Sequence, residues 1–167
     1  ARTTRPHGGY RAQVLAISRR QLLALSAGTT ALLLAAYAGV RQVGDYPDPV
    51  EDFEILSPKA AAIFAVLGDF LLPAGGPLPG HGGDPETLRR LDVLIRDVPP
   101  SMQTLLLALP LAFEHGTALD RFGARSMTQL PAGRIEEYLE EWANAKDLPR
   151  QQLWLGLKTI FGFTYLD

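Results

Sequence analysis

The chain has 167 residues, 47% hydrophobic and 20% charged. That leaves room for one folded domain and something extra, and excludes both a multi-domain enzyme and a polytopic membrane protein. The formal charge of -2 conceals an asymmetry: residues 1–40 carry Arg2, Arg5, Arg11, Arg19 and Arg20 with no acid, whereas residues 41–167 hold 11 basic against 18 acidic side chains. An acidic body repels phosphate, which argues against nucleic acid as a partner.

In chain order, residues 1–21 form a basic head that ends in Ser18-Arg19-Arg20-Gln21-Leu22-Leu23. A polar residue, two arginines, a variable residue and an apolar pair resemble the twin-arginine export signal, whose receptor reads both guanidinium forks. Arg19, Arg20, Leu22 and Leu23 are the residues that would carry it. Plain positive-inside flanking of a membrane helix is the competing reading.

Residues 22–41 contain an uncharged run, Leu22 to Val40, closed by Arg41. At about 1.5 Å per residue it can just cross a hydrocarbon core of about 30 Å. Ala36-Tyr37-Ala38 has the small-x-small pattern of a signal-peptidase site, so cleavage before Gly39 is chemically possible. Retention of residues 22–40 as a membrane anchor is the expectation. Residues 42–55, acidic and carrying two prolines, read as an extended linker.

Residues 56–167 read as an α-helical body of about five helices. Ser57-Pro58 and Asp84-Pro85 each supply an N-cap followed by proline at the first helical position. After the second, Leu88, Leu91, Ile95 and Val98 recur at helical spacing. Pro100-Ser101 opens a third helix through Phe113, which Pro110 is expected to kink or end. Leu130-Pro131 opens a fourth, with Ile135, Tyr138, Leu139 and Trp142 on one stripe and Glu136, Glu137, Glu140 and Glu141 as a solvated face. Leu148-Pro149 opens the last helix, with Leu153, Trp154, Leu157, Ile160, Phe161 and Tyr165. No stretch shows strand alternation, so the fold class is all-α: a signal or membrane helix followed by a small helical bundle.

Little in the body points to chemistry of its own. The chain has no cysteine, which excludes disulfides, Cys-ligated zinc or iron–sulfur sites, thioether-linked haem and a lipidated cysteine. His7, His81 and His115 are scattered and read as solvated or capping side chains rather than metal ligands. The stretch Pro73 to Gly83 has the glycine of a phosphate loop but no preceding strand and no Gly-Lys-Ser/Thr, so it reads as a flexible interhelical loop. Catalytic, metal and cofactor-binding residues are therefore all expected to be absent.

In the last helix Phe161 and Phe163 differ by about 200° around the axis and cannot share one face. Phe161, one turn after Leu157, is assigned to the core and Phe163 outward, with Tyr165 turned inward. Phe163 and Trp154 are the candidate partner-interface residues, because a second apolar face wants a partner.

The body resembles the small subunit (subunit 3, or gamma) of membrane-associated, FAD-dependent gluconate and sugar dehydrogenases. The resemblance rests on Phe70-Leu71-Leu72-Pro73-Ala74-Gly75-Gly76 and Pro99-Pro100, then Leu130-Pro131 with Tyr138-Leu139-Glu140-Glu141-Trp142. The closing Leu157-Lys158-Thr159-Ile160-Phe161-Gly162-Phe163-Thr164-Tyr165 completes it, behind a twin-arginine head. It implies a non-catalytic accessory subunit on the periplasmic side of a bacterial inner membrane, serving maturation and export. FAD would sit in a large glucose-methanol-choline-type subunit, and haem c in a third subunit. The alternatives are a membrane-anchored structural subunit of another respiratory or electron-transfer assembly, and a small exported enzyme.

Replacing Arg19 and Arg20 together by lysine keeps the charge but removes the guanidinium forks. Fractionation of cells should then find the chain retained in the cytoplasm. Normal periplasmic appearance would leave only an ordinary membrane anchor.

Overall fold

The computed structural model describes Tyr46 and residues 52–76, 80–123 and 125–164. Among these residues the fold is five α-helices, two short 3₁₀ turns and no strand. The helices are α1 (Pro58–Leu71), α2 (Pro85–Asp97), α3 (Pro100–Gly116), α4 (Ala132–Ala143) and α5 (Leu148–Thr164). None of them is long and apolar enough to cross a membrane. The expected export and anchor segments, residues 1–21 and 22–41, lie outside the described residues.

The first two helix starts follow from their caps. Ser57 Oγ accepts from the Ala60 amide at 3.2 Å and Asp84 Oδ1 from the Thr87 amide at 2.7 Å, each satisfying a donor that the first turn leaves without an intrahelical partner. Proline at the following position has no amide hydrogen to lose there. In α2, Glu86 in the first turn and Arg96 in the last also complement the helix dipole.

Pro110 neither ends nor divides α3, which runs unbroken through it to Gly116. This corrects the expected interruption. Interior proline costs about 3 kcal/mol, but Ala108, Leu109, Leu111 and Phe113, on both sides of it, are buried. Burial of a single large apolar side chain is worth about 1.5–3 kcal/mol, so the packing outweighs the lost hydrogen bond.

Helix α1 carries the centre of the core through Ile63, Phe64 and Leu67, all fully buried. It packs chiefly on α3, while α5 lies against both α2 and α4. Aromatic edges join these layers: Phe64 meets Phe161 at 6.1 Å between centroids, and Phe113 lies 4.4 Å from Trp142. The Tyr138 hydroxyl donates to the Phe113 carbonyl at 2.8 Å, pinning α4 to α3 inside the core.

Two regions expected to be loose are fastened. From the presumed linker, Tyr46, Phe53 and Ile55 pack against the core. The amides of Glu54, Ile55 and Leu56 donate to the carboxylate of Asp92 on α2 at 2.8–2.9 Å. Asp92 occupies the buried stripe with Leu88, Leu91 and Ile95, and those three amides replace the water it gave up.

The Gly/Pro loop is held at its far end. Asp69 on α1 accepts from the Gly83 amide at 2.9 Å and from the His81 ring, and the Gly82 amide donates to the Leu72 carbonyl at 2.9 Å. Gly68 and Gly82 meet backbone to backbone, so a Cβ on either would run into the other chain segment.

The acidic face of α4 is also partly engaged. Arg121 bridges Glu137 and Glu141, and Arg134 reaches Glu137, while Glu136 and Glu140 stay exposed.

Phe161→Ala removes a ring packed on Phe64 and Gly68. It should lower stability by about 3–5 kcal/mol, read as a drop in urea midpoint with unchanged slope. A loss below 1 kcal/mol, on the order of a surface substitution, would show that the ring is not part of the core.

Candidate functional site

Phe163 and Trp154 share α5 but face different ways, because nine residues of helix bring the chain round by about 180° relative to the start. Phe163 is 53% exposed, in contrast to the buried Phe161 two residues earlier. Trp154 is half-buried and wedged inward, with Phe70 at 5.9 Å and Phe113 at 6.0 Å. The structure therefore does not bring the two candidate interface residues together. Leu155, 65% exposed, is another large apolar side chain standing out from this helix. Its exposure was not singled out in the sequence because its immediate neighbours Leu153, Trp154 and Leu157 give an apolar background. Tyr165 and the export residues Arg19, Arg20, Leu22 and Leu23 lie outside the described residues.

Phe163 borders a groove of about 390 Å³ between α2 and the end of α5, whose α2 side is formed by Arg89, Arg90, Val93, Leu94 and Asp97. Arg90 ties the two helices: its Nε donates to Glu86 at 3.1 Å and its guanidinium reaches the Thr164 carbonyl at 3.5 Å. The surface combines an exposed aromatic ring, an aliphatic floor and guanidinium groups.

A second cluster, buried at the far end of α3, was not anticipated. Glu114 is fully buried, and its carboxylate accepts from the Tyr46 hydroxyl at 2.6 Å, the Thr128 hydroxyl at 2.6 Å and the Thr128 amide at 3.2 Å. Lys59, also buried, places Nζ 5.3 Å from the centre of the Tyr46 ring and 3.3 Å from Nε2 of His115. His115, expected to be solvated or a cap, is instead half-buried between these groups, because α3 continues past Pro110 and carries it against α1.

Burial, and then the Glu114 carboxylate, push the Tyr46 hydroxyl up to about 12. Burial lowers the Lys59 ammonium, against the pull of Glu114. Burial and then Lys59 lower the His115 imidazole. The cluster holds Tyr46 against α1 and α3.

His81, at the loop end, behaves oppositely. Its ring is raised above the ordinary histidine value, chiefly by the hydrogen bond to Asp69. Asp84 beside it is lowered; burial works against this, and the amides of Thr87 and His81 outweigh burial. Both carboxylates serve loop and cap. Among the described residues no group of three or more His, Cys, Asp or Glu side chains is arranged to hold a metal ion.

No family model, curated protein or solved structure matches the chain.

Tyr46→Phe keeps the ring and deletes only the hydroxyl on Glu114. Since hydrogen bonds to charged groups are worth about 1.5–3 kcal/mol, urea denaturation should show a loss of that size. An unchanged midpoint would mean that residue 46 contributes nothing to the body.

Proposed function

We propose that the body is a non-catalytic accessory domain that binds a flavin-dependent dehydrogenase of the glucose-methanol-choline type, assists its maturation and export, and anchors it on the periplasmic side of the inner membrane. The observation that carries this reading is Phe163: an aromatic ring left 53% exposed on a helix whose opposite face is already core. Exposed aromatics beside a groove are the usual anchors of protein–protein recognition, whereas an isolated fold gains nothing from solvating one. The resemblance of Leu157–Tyr165 and the other quoted segments to the small subunits of sugar dehydrogenases points the same way.

The division of labour is the one that the resemblance implies. Arg19 and Arg20 supply an export address and residues 22–40 an anchor. FAD belongs to the large subunit, and haem c to a third chain. Phe163 and Leu155 supply docking area, and Arg90 keeps the end of α5 in place beside the groove.

Burial of the Phe163 ring at an interface contributes about 1.5–3 kcal/mol, so Phe163→Ala should weaken the complex by at least about tenfold. The measurement is flavin absorbance co-purifying with the tagged full chain, paired with the thermal midpoint of the chain itself. Flavin recovery should fall while the midpoint stays put. Unchanged flavin recovery, or the absence of any flavoprotein with the unaltered chain, would overturn the reading.

A further inference from the structure

Residues 81–83, at the end of the Gly/Pro loop, are bonded both to α1 and to the start of α2. Oδ1 of Asp69, in the last turn of α1, accepts from Nδ1 of the His81 ring and from the Gly83 amide at 2.9 Å. The neighbouring Gly82 amide donates to the Leu72 carbonyl, just past that helix, at 2.9 Å. On the other side the His81 amide donates at 2.9 Å to Oδ2 of Asp84, the residue that caps α2. One carboxylate oxygen on α1 therefore receives both a ring donor and a backbone donor from the loop end, and the ring donor titrates.

The protonated imidazole is the cation of this arrangement, joined to Asp69 as an ion pair. A neutral ring can still donate from Nδ1, but the carboxylates of Asp69 and Asp84 then have no positive charge beside them at the loop end. We infer that residues 81–83 are a pH-sensitive clasp between α1 and α2, closed when His81 is protonated and slackened when it is neutral.

The charges facing His81 are Asp69 from α1 and Asp84 from the cap of α2. Glu86, in the first turn of α2, is taken up by Arg89 and Arg90. Residues 73–80 of the loop carry no charge, and α5 meets this spot through the apolar ring of Phe161. The bond to Asp69 is the largest influence on the imidazole. Burial opposes it, the charges of Asp69 and Asp84 add to it, and the ring is held above its ordinary value.

The sign follows from linkage. Free of the clasp, His81 titrates near its ordinary value of about 6.5, and within the clasp it titrates higher. Between those two values the closed form binds the extra proton, so the clasp opens more readily as pH rises through them. Below about 6.5 the stabilisation is complete, and above the folded value it is lost. The His81 and Asp69 side chains are 38% and 54% exposed, so water screens the pair. The opening equilibrium should therefore change by about two- to fivefold, the range of ion pairs open to solvent. This inference does not depend on the proposed partner.

The test is nuclear magnetic resonance on the full chain in detergent, titrated over about two pH units on each side of the free imidazole value. It follows the His81 ring and the solvent exchange of the Gly82 and Gly83 amides. The ring midpoint should lie above about 6.5. Once base catalysis of exchange is corrected for, protection of both amides should fall by about two- to fivefold through that same midpoint. In Asp69→Asn, whose side-chain oxygen can still accept from Gly83, the His81 midpoint should fall back toward about 6.5 and the protection should no longer change with pH. A midpoint at or below about 6.5, protection that stays constant through the midpoint, or a pH-dependent loss that persists in Asp69→Asn would each overturn the clasp. The first two are read in the unaltered protein and need no variant to fold.

Discussion

A carboxylate taken out of water must find donors, and this fold is organised around two such groups, Asp92 and Glu114. Both lie in helices on positions that the packing buries. The desolvation of an unpaired carboxylate costs several kcal/mol, comparable with a substantial part of a small domain's whole stability. Neither helix can supply the missing donors, because its own amides are already committed to the helical ladder. Residues outside those helices supply them: the amides of residues 54–56 donate to Asp92, and the Tyr46 hydroxyl together with the amide and hydroxyl of Thr128 donate to Glu114. Tyr46 and residues 54–56 are therefore part of the folded body.

The aromatic layer depends on a different close approach. Gly68 and Gly82 let the end of the Gly/Pro loop lie directly on α1, and the Phe161 ring closes over the same spot. Any side chain at Gly68 would push both the loop and α5 outward. The position of α5 in turn decides what its outer face shows. With Phe161 seated against Phe64, helical geometry leaves Phe163 facing solvent above α2. The exposure of Phe163 is thus a consequence of how the core is closed, and a change at Gly68 would be felt there.

Charge is distributed in keeping with this division. Arg121 and Arg134 neutralise half of the α4 carboxylates, and Arg150 pairs with Asp120 at 2.6 Å while lying 5.5 Å over the Trp142 ring. The α4 side is a charged surface in which Glu137 and Glu141 are paired and Glu136 and Glu140 face solvent. The α2–α5 side keeps apolar side chains in the open, and it is there that the proposed partner would gain area.

The helices themselves were legible in the residues alone. Ser57-Pro58 and Asp84-Pro85 act through bonds three residues away, and Leu88, Leu91 and Ile95 share a face because of helix pitch. Both are local facts that hold wherever the chain is placed. The opposite directions of Phe161 and Phe163 followed from the same geometry. What the chain could not reveal were effects of neighbours distant in sequence. Pro110 is tolerated because surrounding burial outweighs a lost bond. Asp92 is buried because amides 36–38 residues earlier reach it. Tyr46, Lys59, Glu114 and His115 form one cluster only after α3 has packed on α1. Propensity and spacing act over a few residues and so determine elements and faces. Which polar groups lose their water, and which partners repay them, is decided only when those faces meet.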